Sequence, residues 1–434
     1  MNVKNILHKL KTRKAVVGVI GLGYVGLPMA VTVARAGYEV IGIDVSEHAI
    51  NSVNSGINYI GDVDDDELKA MVEKKLLSAS RDYTLLQKAD VILIAVPTPL
   101  DKYQQPDSSY IRSAIDSLAP NITTGSVVIL ESTTYPGTTL EIVVPAIEKH
   151  GFKVGEDVFV AFSPERVDPG NKDYKTFNTP KVVGGVTEKC NLVTEAFYKE
   201  VLSAPIHLVS SPSVAEMEKI YENTFRNINI ALANEMTILC NKMGIDIWEV
   251  IEAAKTKPYG FMPFYPGPGI GGHCIPLDPF YLTWKAREYN YHTRLIELAG
   301  EINNSMPSFV ISKAVRLLNI DGKAISRSRI LLLGAAYKKD IEDSRESPIN
   351  EIIRQLEDIE AEFDYHDPYV PEFHNERNGR DYKSVSLDNL EDYDLVIIIT
   401  DHSNFDYPDI VKRANLILDT RFAIKEQYQN VFKL

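Results

Sequence analysis

The chain opens with short apolar runs alternating with amphipathic stretches. Val16-Val-Gly-Val-Ile20 reads as a buried strand, Leu27 to Ala36 as a helix closed by Gly37, and Glu39-Val-Ile-Gly-Ile43 as the next strand. Asp90 to Val96 is another, stopped by Pro97, and Val127 to Leu130 and Val158 to Ala161 continue the series. Strands that are apolar throughout, rather than at alternate positions, are buried on both faces, and separated by helices they build a parallel sheet. The N-terminal part is therefore expected to be a doubly wound α/β domain. From Ser213 to about Asn304 the pattern turns helical, and Val214 to Met243 runs without Gly or Pro. The last third returns to strands at Arg329–Leu333, Ala361–Tyr365, Leu395–Ile399 and Leu416–Leu418, with a helix starting at Ser347-Pro348. Its order of strand, glycine turn at Gly334, helix, and strand leading to Asp367 echoes the N-terminal order.

Composition narrows this picture. A chain of 434 residues exceeds one ordinary core. Its 44% hydrophobic and 24% charged content is that of a soluble globular protein. A formal charge of −14 argues against nucleic acid or an anionic membrane as a general partner, though not against a small anionic ligand. Cys190, Cys240 and Cys274 are far apart, with no CxxC or His/Cys cluster, so neither a disulfide framework nor a metal site is expected, and a reducing cytoplasm suits the chain. The apolar run Ala15 to Ala34 has the length of a membrane span, but four glycines and a proline make it a buried strand–turn–helix. The first dozen residues read as a short basic amphipathic lead-in.

The chemistry starts at Gly21-Leu-Gly23-Tyr-Val-Gly26, between the first strand and its helix, with Asp44 eighteen residues after the last glycine. In that setting the triplet is a dinucleotide fingerprint: Gly21 turns the chain, Gly23 admits a pyrophosphate, and Gly26 lets helix pack on strand. Asp44 would bind ribose hydroxyls and repel a 2′-phosphate, which favours NAD. Val96-Pro-Thr-Pro99 and Glu131-Ser-Thr-Thr134 follow later strands, the edge where ligands bind in such sheets. The candidate cofactor contacts are Gly21, Gly23, Tyr24, Val25, Gly26, Asp44, Pro97, Thr98, Ser132 and Thr133, with Arg345 from the last third.

Pro266 to Pro279 packs four glycines and four prolines into fourteen residues, so it forms neither helix nor strand. It carries Cys274 four residues before Asp278, and Asp278-Pro279 reads as the N-cap and first position of the following helix. A thiol ahead of a helix N-terminus is a plausible nucleophile. The bland alternative is a small buried cysteine and a plain cap. Glu216, Lys219 and Asn223 share one face of the long helix, either as a functional face or as a solvated one. Ser163-Pro-Glu-Arg-Val-Asp168 brings Glu165 and Arg166 to another strand end. Lys338, Lys339, Asp340, Asp343 and Arg345 form a charged loop suited to an anion.

On Gly18 to Pro28, Ser163-Pro-Glu, Ala215 to Asn223, Gly271 to Asp278 and Tyr337 to Pro348, nearly the whole chain resembles the UDP-glucose/GDP-mannose dehydrogenases. Phe261 to Gly269 and the His273-Cys274 pair resemble the branch acting on UDP-N-acetylglucosamine. The resemblance implies two Rossmann-like doubly wound domains joined by a central long-helix domain, at residues 1–210, 211–308 and 309–434, and a homodimer or higher homo-oligomer. It implies a four-electron oxidation of a UDP-sugar at C6 with NAD, through a thiohemiacetal and thioester on Cys274. Lys219 and Asn223 would stabilise the oxyanion, Asp278 would help activate water, and Glu165 would assist acid–base work. Arg166, Val167, Tyr265, Gly271 and Lys338 would contact the substrate. Two positions depart from the UDP-glucose enzymes: Pro169 stands where they have a second glutamate, and Pro258 lies near the place of an arginine. Both loosen a UDP-glucose assignment, with UDP-N-acetylgalactosamine a rival sugar. A two-electron β-hydroxyacid dehydrogenase shares the N-terminal fold but needs neither the cysteine loop nor a third domain. A non-catalytic dinucleotide sensor would leave Cys274, Lys219 and Asn223 unexplained.

Overall fold

The apolar runs of the N-terminal part become the central strands of an eight-stranded sheet. In chain order the strands are β1 (Val16–Ile20), β2 (Glu39–Ile43), β3 (Leu77–Ser80), β4 (Val91–Ile94), β5 (Val127–Leu130), β6 (Phe159–Phe162), β7 (Lys181–Gly185) and β8 (Ile206–Val209). They lie in the order β3-β2-β1-β4-β5-β6-β7-β8. All neighbours are parallel except β6 and β7. The computed structural model of the chain describes every residue except 1, 62, 102–104, 169, 172, 273 and 376, so Pro169 and His273 lie outside the described residues.

Two units make up the chain, Met1–Glu222 with Phe280–Tyr291, and Asn223–Pro279 with His292–Leu434. In the first, successive strand residues alternate between two cores. Val17, Val19, Val91, Leu93 and Ile129 pack on one face, and Ile20, Ile92, Ile94, Val128 and Leu130 on the other. That double burial is why the strands read as unbroken apolar runs. Three strands carry no such run. β3 and β8 sit at the edges with part of their side chains exposed, and β7 starts with a lysine and ends in two glycines. The basic lead-in is a helix, Asn2–Lys11, that buries Ile6 and Leu10 and ties Lys9 to Asp90 at 2.6 Å.

In the second unit, β9 (Arg329–Leu333), β10 (Glu362–His366), β13 (Leu395–Ile398), β14 (Ile417–Asp419) and β15 (Val431–Lys433) form a parallel sheet in the order β10-β9-β13-β14-β15. The strands β11 (Glu372–Asn375) and β12 (Arg380–Lys383) pair as a separate hairpin. Ile330 and Leu332 face one core, Leu331 and Leu333 the other. Ser347 caps the helix Pro348–Asp358 by accepting from the Ile349 N–H, as its sequence suggested. The helix Arg294–Ile320 carries Pro307 inside it and runs through residue 308, where the sequence suggested a boundary. The long helix spans Pro212–Met243 and stops at Gly244, which adopts φ +71°. Among the described residues no helix is long and apolar enough to cross a membrane.

The β1 glycine turn shows how closely backbone is packed here. A Cβ at Gly26 would lie 1.8 Å from the Gly21 carbonyl oxygen, whereas one at Gly23 would meet nothing within 4 Å. Gly26→Ala should therefore destabilise the protein by at least about 1–3 kcal/mol, while Gly23→Ala should stay within about 0.5 kcal/mol of the parent. Urea denaturation of the two variants checks this, and equal stabilities would refute the packing argument.

Candidate active site

Gly21 turns at φ +87°, where an L side chain would also strike the Ala95 carbonyl at 2.5 Å. The helix that follows, Gly26–Arg35, has Val25 at its N-cap and receives no side-chain cap bond there. Its first N–H groups thus face the turn, beside the open backbone at Gly23 and the exposed Tyr24, an arrangement that suits a pyrophosphate. Asp44 ends β2. It accepts the Leu22 N–H at 2.7 Å and the Ser46 N–H at 2.8 Å, one on each oxygen, which leaves lone pairs for ribose hydroxyls. The residues present fit NAD.

The neighbouring strand ends complete that edge. Pro97 is exposed and Thr98 half-buried, with the Thr98 carbonyl accepting from the Tyr281 hydroxyl. After β5, Ser132 is buried and donates to the Val96 carbonyl at 2.7 Å, so it braces the loop after β4, while Thr133 stays half-exposed.

Glu165 sits in a buried charge cluster that the sequence did not reveal. Lys181, 3% exposed at the start of β7, lies 3.2 Å from Glu131 and 3.3 Å from Glu165. Glu165 also accepts the N–H groups of Arg166 at 2.8 Å and Val167 at 2.9 Å. Burial pushes the Glu165 carboxyl up, but Lys181 and those N–H groups outweigh it and hold the group below the usual carboxylate range. Glu131 goes the other way. Burial raises it despite Lys181, the Tyr198 hydroxyl donates to one oxygen, and the other is buried without a hydrogen-bond partner among the described residues. Glu165 is thus the ionised acceptor of the pair. The Arg166 guanidinium is engaged by Glu222, by Glu218 at 3.5 Å and by the Pro180 carbonyl at 3.2 Å.

Glu216 and Lys219 have different fates on the long helix. Glu216 is fully buried and accepts from the Gly137 and Thr139 N–H groups and the Thr139 hydroxyl, so it is a structural tie to the 137–139 turn. Lys219 is 8% exposed, and among the described residues it has no hydrogen bond and no ion pair. Its charge is felt by the Glu218 and Glu222 carboxyls, but neither bonds it directly, and nearly buried ammonium groups left without a direct partner concentrate where an anion or oxyanion arrives.

In the second unit Cys240 is buried, like Cys190 of the first, whereas Cys274 is exposed. Its carbonyl accepts the Leu277 N–H at 3.2 Å and the Asp278 N–H at 2.9 Å, a turn that leads into the helix Asp278–Ala286. That helix starts at Asp278 itself, one residue earlier than the cap reading. Asp278 is 3% exposed and accepts from the Asn223 amide at 2.5 Å. Gly271 lies where a Cβ would strike Tyr337 at 2.6 Å, and Gly272, at φ +85°, donates to the Arg345 carbonyl at 3.2 Å, so the loop packs on the 337–348 segment. Lys338 on that segment is half-buried. Arg345 forks onto Asp343 at 2.6–3.1 Å. Tyr265 stacks on Trp248 and donates to Glu252 at 3.0 Å. Arg421, which the sequence reading missed, donates Nε to the Ile399 carbonyl at 2.8 Å and lies against Gly267, with no ion pair among the described residues. Only its place just after β14, at a strand end, could have drawn attention to it. Asp367 ends β10 as Asp44 ends β2, and accepts the Ala335 and Ala336 N–H groups, but the buried His402 also occupies it at 2.9 Å.

Three profiles of one family match in succession: its NAD binding domain at residues 15–202, its central domain at 213–305 and its UDP binding domain at 331–426. The chain belongs to the UDP-glucose/GDP-mannose dehydrogenase family. It is an NAD-dependent nucleotide-sugar dehydrogenase. Among its relatives, the UDP-N-acetyl-D-glucosamine 6-dehydrogenase of Pseudomonas aeruginosa is 38% identical over 422 residues, 94% of this chain and 97% of that protein. The solved UDP-D-ManNAc dehydrogenase of Pyrococcus horikoshii superposes with a TM-score of 0.88 at 34% identity, over 96% of this chain and 98% of that one. A UDP-glucose dehydrogenase structure from Pyrobaculum islandicum gives 0.80 at 26% identity, covering 95% of each chain.

The charge cluster of this dehydrogenase makes a pH-dependent prediction. Removing one member of a buried ion pair costs about 3–5 kcal/mol. Glu165 titrates below its unfolded value, so it adds stability above the ordinary carboxylate range and loses that contribution as pH falls through its depressed native value. In Lys181→Met the native value moves above the unfolded one and the sign reverses, with the full penalty at high pH and relief as pH falls. Urea denaturation at pH 5 and pH 8 should show the larger deficit at pH 8. A deficit independent of pH would mean that Lys181 does not set the Glu165 charge.

Proposed function

We propose that this dehydrogenase oxidises the C6 hydroxymethyl of a UDP-N-acetylhexosamine, UDP-N-acetylglucosamine in preference to others, to the uronic acid through a covalent Cys274 intermediate. The observation that carries the reading is the exposed thiol on a glycine–proline loop whose far end is the buried Asp278–Asn223 contact. Residues 1–210 would serve the dinucleotide, 211–308 the cysteine loop and self-association, and 309–434 the UDP moiety, with Lys338 and Arg421 as its cations.

The Gly21–Gly26 turn, Asp44, Thr98 and Thr133 would hold NAD, and two NAD molecules bound in succession would each supply the hydride acceptor for one of the two oxidations. Cys274 adds as thiolate to the aldehyde carbon, forming a C–S bond and an oxyanion that becomes the thiohemiacetal hydroxyl. The Lys219 ammonium and the Asn223 amide stabilise negative charge on that oxygen, where fixed donors are worth most. After the second oxidation the carbon is a thioester. Water adds to it, its proton passes to Asp278, the C–S bond breaks and the thiolate leaves. Glu165, held as a carboxylate, serves as acceptor in these proton movements rather than as an acid.

The sugar preference rests on Tyr259, Phe261, Met262 and Tyr265, all exposed beside the loop, on Pro258 near the place of the missing arginine, and on relatives named for acetamido sugars. An acetamido methyl lies against such side chains, and a pocket shaped for its amide leaves polar atoms unpaired when glucose binds, about 1–3 kcal/mol. Initial rates with the N-acetylglucosamine, N-acetylmannosamine, N-acetylgalactosamine and glucose nucleotides should favour the first over glucose by roughly ten- to a hundred-fold. Two NADH should form per sugar consumed. The highest rate on UDP-glucose would overturn the branch, and one NADH per sugar would overturn the four-electron route.

Self-association is part of the proposal. Phe225, Leu232, Met236, Leu239 and Met243 leave an exposed apolar stripe on the long helix at three-, four- and seven-residue spacing. Leu239→Lys should shift a dimer toward monomer in sedimentation velocity. An unchanged assembly would place the interface elsewhere.

A further inference from the structure

Three buried amides form a continuous line from the start of the cysteine loop to the residue after Cys274. Asn227 is 3% exposed, Asn234 fully buried, and Asn303 3% exposed. The Gly267 N–H donates to Asn234 Oδ1 at 3.0 Å, and Asn234 Nδ2 donates to Asn303 Oδ1 at 2.9 Å. Asn303 Nδ2 then donates to the Asn227 carbonyl at 3.1 Å and approaches Asn227 Oδ1 at 3.4 Å. Asn227 Nδ2 donates to the Ile275 carbonyl at 3.1 Å. The line therefore starts at the second residue of the loop and ends on the residue after Cys274.

The register is ordered. Going along the long helix, Asn223, Asn227 and Asn234 meet Asp278, Ile275 and Gly267, so helix positions rise as loop positions fall. Asn227 and Asn234 are seven residues, two turns, apart and share a helix face. Asn303 reaches them from the helix Arg294–Ile320. Asn234 and Asn303 use both ends of the amide, one as donor and one as acceptor, which neither Asp nor Leu can reproduce. The loop has no regular ladder, so its buried N–H and carbonyl groups need such partners.

We propose that Asn227, Asn234 and Asn303 are positioning residues that fix the loop at its start and beside Cys274 and so hold Cys274 at one place above the long helix. The proposal rests on the reading of Cys274 as nucleophile. None of the three needs to touch substrate. They act through the backbone that carries the thiol, where a displacement of about 1 Å costs on the order of a hundred-fold in rate.

Asn227→Ala removes one bond at the Cys274 end, and Asn303→Asp replaces the donor with an oxygen facing the Asn227 carbonyl. The test measures kcat, KM for NAD and for UDP-N-acetylglucosamine, and the iodoacetamide alkylation rate of Cys274, followed by mass spectrometry of its peptide. Expected is a kcat lower by roughly ten- to a hundred-fold, with KM for NAD unchanged and the alkylation rate altered several-fold. A loss of folded protein alone would not give that split. Should either variant fail to fold, Asn234→Asp, which keeps the acceptor for Gly267 and loses the donor to Asn303, takes its place under the same criteria. Folded variants with kcat and alkylation rates within two-fold of the parent overturn the proposal. Cys274→Ala in parallel separates the two ideas. Full acid formation by it sinks the nucleophile reading, whereas an inactive Cys274→Ala beside a normal Asn227→Ala sinks only the positioning role.

Discussion

Irregular backbone cannot satisfy its own hydrogen bonds, and everything chemical in the second unit depends on how that debt is met. Between Pro266 and Leu277 the described residues form neither helix nor strand to pair the main chain. The long helix answers with side chains: Asn227 and Asn234 take up the Ile275 carbonyl and the Gly267 N–H, and Asn223 donates to the Asp278 carboxylate. Asparagine is a poor interior helix former because its amide competes with the backbone. Its repetition along Pro212–Met243 makes sense once those amides are directed outward onto the loop. The glycines complete the arrangement from the other side, since Gly271 and Gly272 let the loop lie against Tyr337 where any side chain would collide.

Buried charge is treated in two opposite ways. Lys181 has two carboxylates within 3.3 Å and is satisfied by them, so its field is directed at Glu131 and Glu165. Lys219, at 8% exposure, has no hydrogen bond and no ion pair among the described residues. The first arrangement sets a charge state inside the protein and changes with pH only when the cluster itself titrates. The second is offset only at a distance, by Glu218 and Glu222, and leaves the ammonium donors open to an incoming group. Glu216, one turn before Lys219, belongs to neither class, because three donors of the 137–139 turn already satisfy it.

Both sheets were legible where burial is two-sided, because β1, β2, β4, β5 and β6 then show as unbroken apolar runs. β3 and β8 were not legible, since edge strands keep polar positions, and β7 hides between a lysine and two glycines. The glycine turn, Asp44, Cys274, Asp278, Lys219 and Asn223 could be singled out because each belongs to a short motif with its own mechanical reason. Lys181, Glu131, Arg421 and the line of asparagines were missed for the converse reason. Their partners are 16 to 76 residues away in the chain, and no local pattern marks such a pairing. The run through Pro307 was also invisible, because a proline inside a helical pattern ordinarily signals its end.

Family and sugar are decided on different energy scales. Two parallel sheets buried on both faces, a tightly packed glycine turn and a pinned loop involve many interactions, so chains about a third identical can still share nearly the whole fold. Choosing between sugars that differ at one ring substituent takes about 1–3 kcal/mol, the weight of one or two hydrogen bonds or a methyl contact. On the proposed reading, a handful of side chains around Tyr259 to Tyr265 would supply or remove that much without disturbing the strands, the turn or the cysteine loop. Solved structures named for N-acetylmannosamine and glucose nucleotides therefore superpose on one architecture, and a relative named for N-acetylglucosamine matches nearly the whole chain in sequence.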